Sequence, residues 1–289
     1  MKNEGFTYSE TLDILKRHNI TPRKGLGQNF LTDKNILSKI IDAAELEADD
    51  QVLEIGPGIG TLTRELALKS GRVVCVEIDD RLIPVLQDTT SCFSNITVVC
   101  GDILKLDLSQ LYRKHFQDGR IKVVANLPYY ITSPIVMKLL EEEIPLKSII
   151  IMVQKEVARR MAASPGNKEY GALSVAVQFY SNPEMIASVP PTVFIPPPKV
   201  SSAVVRLDIK ESPGYRVKDT SLMFSIVKAA FGKRRKTLLN ALVGVRGLEN
   251  KETVREVLES CGIEPERRGE TLSVQDFCRL ADCVSASDH

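Results

Sequence analysis

The sequence predicts an α/β fold: a parallel sheet with helices on both faces, followed by a small all-helical C-terminal region. Short apolar runs alternate with helical patterns between residues 52 and 163, which is typical of a parallel sheet with helices on both faces. A glycine-rich turn at residues 56–60 lies between the first apolar run and the first of these helices. Beyond residue 211 the pattern is helical only. These three observations set the fold class.

The individual elements follow from the spacing of apolar residues. Strands are predicted at 52–55, 73–78, 96–100, 123–125, 149–153, 185–189 and 203–209. Helices are predicted at 36–44, 61–69, 81–89, 135–140 and 155–163, the first with Asp33 as its N-cap. Three more helices, around 222–230, 254–258 and 277–284, follow a linker at 211–214. We therefore expect domains at 1–210 and 211–289, the first with an N-terminal extension, 1–20, that carries no motif.

Composition indicates a soluble globular protein of 289 residues, with 43% hydrophobic and 26% charged residues. Its six cysteines lack C-x-x-C spacing and it has three histidines, so we expect no metal, no disulfide framework and a cytoplasmic location. The start lacks a signal core and the strongest apolar run, 149–153, is too short to span a bilayer, so no membrane segment is expected. With a net charge of +1, nucleic-acid affinity must come from local basic patches.

The glycine-rich turn predicts a nucleotide-like ligand. In E-I-G-P-G-I-G at 54–60, missing side chains let a ligand approach backbone N–H groups and a helix N-terminus. A dinucleotide fingerprint needs glycine where the chain has Thr61, and no G-x-x-x-x-G-K-[ST] occurs, which disfavours NAD and ATP. Glu77 ends the second strand, where an acid meets ribose hydroxyls, and Asp102 follows the third. Either carboxylate alone is better explained as a helix cap or a solvated loop charge, but their placement at successive strand ends favours a ligand role.

The N-L-P-Y tetrapeptide at 126–129 supplies groups that suit a flat, amine-bearing base. It directly follows a predicted strand. The side-chain oxygen of Asn126 and the backbone carbonyl of Leu127 can accept the two N–H bonds of an adenine amine, while Tyr129 stacks on the ring. Phe194, in a proline-rich stretch, is the candidate for a second stacking face. The alternatives are a plain strand-ending turn for the tetrapeptide and a core anchor for Phe194.

Together these motifs resemble the series found in S-adenosylmethionine-dependent adenine-N6 methyltransferases. That resemblance is carried by residues 54–60, the acid at 77, G-D-I at 101–103 and N-L-P-Y. Three more segments are similar to the ribosomal RNA small-subunit adenine dimethyltransferases, the KsgA/RsmA family: K-G-L-G-Q-N-F-L at 24–31, V-F-I-P-P-P-K-V-S-S-A-V-V at 193–205 and F-G-K-R-R-K-T-L at 231–238. The match runs from about residue 21 to 282.

The resemblance implies a methyltransferase that uses S-adenosylmethionine to dimethylate the N6 amines of two adjacent adenosines in the 3′-terminal hairpin of 16S (small-subunit) rRNA. It also implies a Rossmann-like S-adenosylmethionine-dependent methyltransferase sheet in the first domain, which would bind the methyl donor, and a small all-helical C-terminal domain, which would contact RNA. The residues implied to hold S-adenosylmethionine are Gln28, Asn29, Leu31, Gly56, Gly58, Glu77, Asp102, Ile103 and Asn126. The residues expected at the transferred base are Asn126, Leu127, Tyr129 and Phe194.

Two basic groups are predicted to meet RNA phosphates of the small ribosomal subunit. They are the pair Arg23 and Lys24 and the run Lys233, Arg234, Arg235 and Lys236. A charge run alone is as often a solvated helix face, and the methyltransferase motifs beside it favour RNA contact.

Three other functions remain as alternatives. Erm-type enzymes, which methylate large-subunit rRNA, share most of these motifs, but Leu127 with I-T-S-P at 131–134 and K-R-R-K-T-L favour the small-subunit group. A non-catalytic small-subunit assembly factor could have lost Asn126, Glu77 or Asp102, and all three are present. A nicotinamide dehydrogenase is disfavoured by Thr61.

Overall fold

The computed structural model describes residues 5–142, 144–211, 215–233 and 235–287. The chain divides into two compact units: the first is formed by the residues up to Ala158 and by Pro183–Ile209, the second by Arg159–Asn182 and the residues from Lys210 onward. The later boundary lies close to the expected one at 210. The expectation did not include Arg159–Asn182 in the helical unit.

The strands form one large and one small sheet. They are β1 (Phe30–Leu31), β2 (Gln51–Ile55), β3 (Arg72–Glu77), β4 (Ile96–Cys100), β5 (Ile121–Asn126), β6 (Leu146–Gln154), β7 (Ser181–Val189), β8 (Phe194–Ile195) and β9 (Ser202–Ile209). The large sheet has the order β4-β3-β2-β5-β6-β9-β7, and β1 pairs with β8. The first five strands of that order are parallel, and β9 runs antiparallel to β6. The predicted Rossmann-like α/β sheet is therefore confirmed.

Helices connect and cover these strands. They are α1 (Tyr8–Arg17), α2 (Lys34–Ala44), α3 (Thr61–Lys69), α4 (Leu82–Thr89), α5 (Leu108–His115), α6 (Thr132–Glu141), α7 (Lys155–Met161), α8 (Ala172–Tyr180), α9 (Thr220–Gly232), α10 (Leu238–Ala241), α11 (Lys251–Ser260) and α12 (Val274–Ser287). The carboxylate of Asp33 accepts hydrogen bonds from the N–H groups of Asn35 and Ile36, which confirms it as the N-cap of α2. Helices α1, α5, α8 and α10 were not among the predicted elements.

The order of the strands places the site. The chain passes outward through β2, β3 and β4, then returns to β5 on the other side of β2. Such a reversal opens a crevice outside the carboxyl ends of the two strands where the direction changes, here β2 and β5. Gly56 follows β2 and Asn126 ends β5, so both candidate groups lie at this crevice.

The second unit has an all-helical core of its own. Residues Ala163, Tyr170, Val175 and Phe179 are buried in one cluster with apolar residues of α9, α11 and α12. That shared core explains why residues 159–182 group with the C-terminal helices. No helix of the described chain is long and apolar enough to cross a membrane.

Candidate functional site

A pocket opens at the carboxyl ends of β2, β3 and β5 in the first unit. Its lining residues belong to four segments, 26–31, 54–62, 77–82 and 126–129. Three of these segments follow strands of the sheet directly, and the fourth is the chain just before and within β1. The parallel sheet therefore brings together residues that lie up to about a hundred positions apart.

The glycine-rich turn after β2 forms one wall of the pocket. Gly58 has φ of +60°, a left-handed conformation that side chains rarely adopt. A Cβ built at Gly58 would lie 3.1 Å from the ring of Phe30, and one at Gly56 would lie 3.9 Å from the backbone oxygen of Asn126. Glycine is therefore required at position 58, and backbone rather than side chain faces the pocket there.

Glu77, at the end of β3, is held in place by backbone donors. Its Oε2 accepts a hydrogen bond from the N–H of Gly58 at 3.1 Å, and its Oε1 accepts one from the N–H of Asp79 at 2.8 Å. Burial raises the pKa of the Glu77 carboxyl above its ordinary value, against the opposing effect of these donors. A carboxylate has about four acceptor positions. Glu77, which lines the pocket, therefore keeps acceptor capacity for hydroxyl groups of a ligand.

Glu54 lies deeper and was not singled out by the sequence analysis as a separate site residue. Its side chain is 1% exposed, and the Cys75 thiol donates to its Oε2 at 3.3 Å across the β2–β3 pair. Burial raises the pKa of Glu54 to about 7 and raises that of the Cys75 thiol as well. Near neutral pH this part of the pocket therefore carries a carboxyl group that is only partly ionised.

Asn126 and Leu127 present two acceptors at the crevice. The Asn126 Nδ2 donates to the backbone oxygen of Asn29 at 3.1 Å, which fixes the side-chain amide so that its Oδ1 is the free end. The N–H of Leu127 donates to the backbone oxygen of Met152 at 3.1 Å, which anchors the turn to β6. Among the described residues, none donates to the Asn126 Oδ1 or to the Leu127 carbonyl. Both acceptors that the sequence predicted remain available.

Tyr129 lines the same pocket with part of its ring exposed. Its hydroxyl is hydrogen-bonded to Ser202 Oγ at 2.5 Å, and burial raises the pKa of the phenol above its ordinary value. The hydroxyl is thus engaged and the ring face is what remains for a ligand. Tyr130, which the sequence analysis missed, is 56% exposed and lies against Gly27, where a Cβ would be 3.4 Å from its ring.

Phe194 requires a correction. It was expected to supply a second stacking face, but its ring is 2% exposed and belongs to the core cluster beneath the sheet. In the β1–β8 pair it stands opposite Leu31, and it is not part of the pocket lining. The alternative interpretation, a core anchor for the proline-rich stretch, describes its place in this structure.

Asp102 and Ile103 lie beside the pocket rather than in its lining. They follow β4, whose Cys100 is in register with Glu77 of β3. The carboxylate of Asp102 accepts from the N–H of Leu104 at 3.0 Å and lies 3.8 Å from the Lys105 ammonium. Ile103 is 5% exposed. Their contact with a cofactor stays a prediction.

Residues 23–29, which we call the cover segment, contribute Leu26, Gly27, Gln28 and Asn29 to the lining of the pocket. Gln28 Nε2 donates to Asp79 Oδ2 at 2.8 Å, and Asn29 Nδ2 donates to the backbone oxygen of Gly27 at 3.0 Å. Gln28 and Asn29 both line the pocket, as does Leu31 in β1. The structure therefore brings these three predicted residues to the pocket, and Asp79, which is not part of the lining, holds the side chain of Gln28.

The N-terminal helix, for which the sequence analysis found no role, packs behind the pocket. Thr7 and Glu10 form a capping box at the start of α1. Its buried Ile14 and Leu15, with Phe6, form one cluster that includes Phe30, Ile59 and Leu82. The last three also line the pocket. The T-x-x-E capping signal and the spacing of Thr11, Ile14 and Leu15 could have identified this helix from the sequence.

The predicted RNA-contacting residues are mostly exposed. Lys24, Lys233, Arg235 and Lys236 have exposed side chains, and none forms an ion pair with another described residue. Arg23 is exposed too, but its Nη1 lies 3.3 Å from Asp79 Oδ1. Arg234 lies outside the described residues.

The pocket residues fit a ligand with a sugar, an apolar or aromatic part and polar ends. Glu77 offers acceptors for hydroxyls, Phe30, Ile59 and Leu82 supply apolar wall, and backbone replaces side chains at Gly56 and Gly58. This set matches S-adenosylmethionine, which combines an adenosine with a charged methionine. The described part of the chain contains no group of three or more His, Cys, Asp or Glu residues that could hold a metal ion.

Comparison with known proteins gives consistent results. A profile of the family described as ribosomal RNA adenine dimethylase matches residues 19–285. The chain is 52% identical over 278 residues to the ribosomal RNA small subunit methyltransferase A of Alkaliphilus metalliredigens, covering 96% of this chain and 97% of that protein. It is 50% identical over 280 residues to the protein of the same name from Shouchella clausii, covering 96% and 95%.

Solved structures agree with the sequence comparison. A dimethyladenosine transferase from Plasmodium falciparum superimposes with a TM-score of 0.75 at 29% identity, covering 87% of this chain and 95% of that one. The 23S rRNA methyltransferase ErmE superimposes with a TM-score of 0.68 at 29% identity, covering 89% and 100%. Both similarities include the helical part as well as the sheet, as their coverage requires.

Proposed function

The chain belongs to the ribosomal RNA adenine dimethylase family, and from this premise we propose that it transfers methyl groups from S-adenosylmethionine to the N6 amines of two adjacent adenosines in the 3′-terminal hairpin of 16S rRNA, a step in small-subunit maturation. The observation that carries the proposal is the pair of acceptors, Asn126 Oδ1 and the Leu127 carbonyl, on two adjacent residues that line the glycine-walled pocket. A base with an exocyclic amine matches two adjacent acceptors.

The reaction needs little from the protein except alignment. S-adenosylmethionine supplies an electrophilic methyl group on a sulfonium. The adenine amine is a poor nucleophile because its lone pair is delocalised into the ring. Asn126 Oδ1 and the Leu127 carbonyl accept its two N–H bonds, favour a pyramidal nitrogen and stabilise the positive charge that develops on it. Each transfer replaces one N–H with a methyl group, and the proton leaves to water. The second round therefore starts with a single N–H, so one acceptor then faces a methyl group.

The target base must leave its stack before it can enter the pocket, which costs on the order of a few kcal/mol. The ring of Tyr129 is positioned to offset part of this cost by stacking, typically roughly 1–3 kcal/mol for each base. The bond between its hydroxyl and Ser202 orients the ring without using its face. With Phe194 buried, Tyr129 is the stacking residue that we assign.

We assign the small ribosomal subunit, rather than the large one, as the substrate because of sequence identity to named relatives. Relatives at about half identity over nearly the whole chain are named small subunit methyltransferases, whereas ErmE, named for 23S rRNA, is 29% identical. Exposed Lys24, Lys233, Arg235 and Lys236 are proposed phosphate contacts, and Arg23, which also pairs with Asp79, is proposed with them. The site of action is the cytoplasm, where a reducing environment suits a chain whose cysteines lack C-x-x-C spacing.

The experiment that tests the proposal combines labelled S-adenosylmethionine with small subunits that lack the modification. Nucleoside mass spectrometry should detect N6,N6-dimethyladenosine after incubation with the chain. Large subunits from a strain without Erm enzymes serve as the matched substrate control and should gain no label. A binder of small subunits that transfers no methyl group would instead support the assembly-factor alternative, and label in the large subunit would support the Erm-type alternative.

A further inference from the structure

Asp79 lies two residues after Glu77 and has no part in the function proposed above. Its side chain is fully buried, 0% exposed, which is costly for a carboxylate unless its charge is paired. The Arg81 guanidinium makes a two-point contact with it, Nε to Oδ1 at 2.9 Å and Nη2 to Oδ2 at 2.6 Å. These contacts lower the pKa of Asp79 to about 2, so the carboxylate is ionised at neutral pH.

Two further donors to Asp79 come from the cover segment. Arg23 Nη1 reaches its Oδ1 at 3.3 Å and Gln28 Nε2 reaches its Oδ2 at 2.8 Å. Gln28 also closes the segment on itself, because its Oε1 accepts from the N–H of Arg23 at 2.7 Å. Arg23 and Gln28, near the two ends of the cover segment, therefore both form hydrogen bonds with the buried Asp79 carboxylate.

The cover segment also reaches the acceptor pair. Its last residue, Asn29, accepts through its backbone oxygen the hydrogen bond from Asn126 Nδ2. That bond is what turns the Asn126 amide so that Oδ1 is free. A continuous series of polar contacts thus runs from Arg81 and Asp79 through Gln28 and the backbone of the segment to Asn126.

We propose that Asp79 is a positioning residue: it holds the cover segment closed over the pocket and, through Asn29, sets the orientation of the Asn126 amide toward the target amine. This inference rests on the proposed function for the identity of the ligand and the target. The contacts of Asp79 with the cover segment define its closed state, and their loss opens the segment without disturbing the sheet edge. Segments that close over a ligand commonly control both affinity and turnover.

The neighbouring acid provides a matched control. Asp80 is one position away, carries the same charge and is exposed. Asp79→Asn and Asp80→Asn therefore make the same change in net charge, but only the first weakens the attachment of the cover segment. A role of Asp79 in overall stability alone would change the melting temperature without a selective effect on this segment.

The first readout is limited digestion with trypsin of the full chain without S-adenosylmethionine. Arg23 and Lys24 are exposed trypsin sites within the cover segment. Cleavage after either residue, identified by mass spectrometry, reports opening of the segment. We expect Asp79→Asn to be cleaved there about tenfold faster than wild type or more, and Asp80→Asn to be cleaved at the wild-type rate.

The second readout is binding and turnover. Calorimetry should show S-adenosylmethionine affinity reduced at least about fivefold in Asp79→Asn, and kcat for small subunits should fall while the KM for subunits changes little. If Asp79→Asn fails to fold, Gln28→Ala replaces it in the digestion: this variant leaves the Arg81 pair intact and should also be cleaved faster.

The outcomes separate this inference from the proposed function. Equal cleavage of Asp79→Asn, Gln28→Ala and Asp80→Asn without ligand overturns the role of Asp79. If wild type binds no S-adenosylmethionine, the proposed function fails, while a faster cleavage of Asp79→Asn still supports the closing contact. A folded Asp79→Asn that differs from Asp80→Asn only in melting temperature also overturns the inference.

Discussion

The pocket has two parts that the sequence specifies in different ways. We call the residues at the strand ends its floor, and residues 23–29 are the cover segment. On the floor, Gly56, Glu77 and Asn126 each lie at or next to the carboxyl end of a parallel strand, so sheet topology alone brings them together. The cover depends on side-chain contacts between distant residues, such as Gln28 with Asp79, 51 positions apart, and Asn126 with Asn29, 97 apart. The sheet therefore brings the pocket residues together, whereas contacts with the cover segment orient the Asn126 amide.

The largest effect is expected on the floor, from Asn126→Ala. Removing one of two preorganised partners of the developing charge should lower kcat by about 10²–10³-fold. Binding of small subunits should remain near the wild-type level, because the phosphate contacts are elsewhere. Single-turnover methylation with labelled S-adenosylmethionine measures the first quantity and filter binding the second. Dimethylation at the wild-type rate would show that Asn126 has no such role.

A second substitution examines the support behind the pocket, in helix α1. Leu15 is 6% exposed and packs in the cluster that contains Phe30 and Ile59, whereas Leu12 on the same helix is 43% exposed. Leu15→Ala should lower the free energy of unfolding by about 2–5 kcal/mol, and Leu12→Ala by less than about 0.5 kcal/mol. Urea unfolding followed by circular dichroism suits a chain without tryptophan. Equal effects of the two variants would contradict the packing described for α1.

The buried Glu54 gives a prediction for pH. Its folded pKa of about 7 exceeds the unfolded value of 4.5, so the folded state binds the proton more tightly. The contribution of Glu54 to stability is therefore present below pH 4.5 and is lost as pH rises to about 7, by on the order of 2–3 kcal/mol.

Glu54→Gln, which stays neutral, should remove that part of the pH dependence. The difference between wild type and variant in unfolding free energy, measured from pH 5 to pH 8, isolates this group from all others. A constant difference across the range would mean that Glu54 does not titrate there.

Glu77→Gln tests the ribose-binding part of the floor. Losing the charged acceptor should weaken S-adenosylmethionine binding about 10–100-fold, since hydrogen bonds to charged groups contribute about 1.5–3 kcal/mol. Because burial raises the pKa of Glu77, affinity in the wild type should also fall as pH is lowered into the acidic range, while the variant should be insensitive. Calorimetry at several pH values measures both. An unchanged dissociation constant would place the sugar elsewhere.

The smallest effect concerns the basic run in the second unit. Replacing both Arg235 and Lys236 with Ala should make the salt dependence of small-subunit binding shallower by about one or two in log–log slope. Lys251→Ala, an exposed lysine outside the run, is the control and should leave the slope unchanged. The slopes are obtained from binding measured between roughly 50 and 200 mM salt, where phosphate contacts weaken clearly. Equal slopes for all three proteins would contradict phosphate contact at the run.

The sequence predicted most of the fold and the floor because both depend on local patterns. The alternation of apolar runs and helices predicted the parallel sheet. Because Gly56, Glu77 and Asn126 each lie at or next to a strand end, they were expected at the same edge of that sheet. The resemblance added Gln28, Asn29 and Leu31, which line the pocket. Asp79 was not predicted, because the residues next to it in the sequence give no sign that Arg23 and Gln28 form hydrogen bonds with it.

Phe194 and helix α1 are two further cases in which the sequence alone could not establish where a residue or helix packs. An aromatic in a proline-rich stretch suits either stacking or anchoring, and only the pairing of β1 with β8 decides that the ring lies in the core. The capping box and apolar face of α1 are visible in the sequence, but only its packing with Phe30, Ile59 and Leu82 shows that the helix supports the pocket lining. In both cases the deciding partners are distant in the chain.

The most direct test of the account is a structure of the full chain with S-adenosylhomocysteine and an adenosine-containing RNA fragment. We predict that the adenine N6 lies within about 3.2 Å of both the Asn126 Oδ1 and the Leu127 carbonyl oxygen, with Tyr129 stacked on the base. An Asn126 amide that turns its Nδ2 toward the base, or an N6 atom out of hydrogen-bond range of both oxygens, would contradict the proposed geometry of transfer.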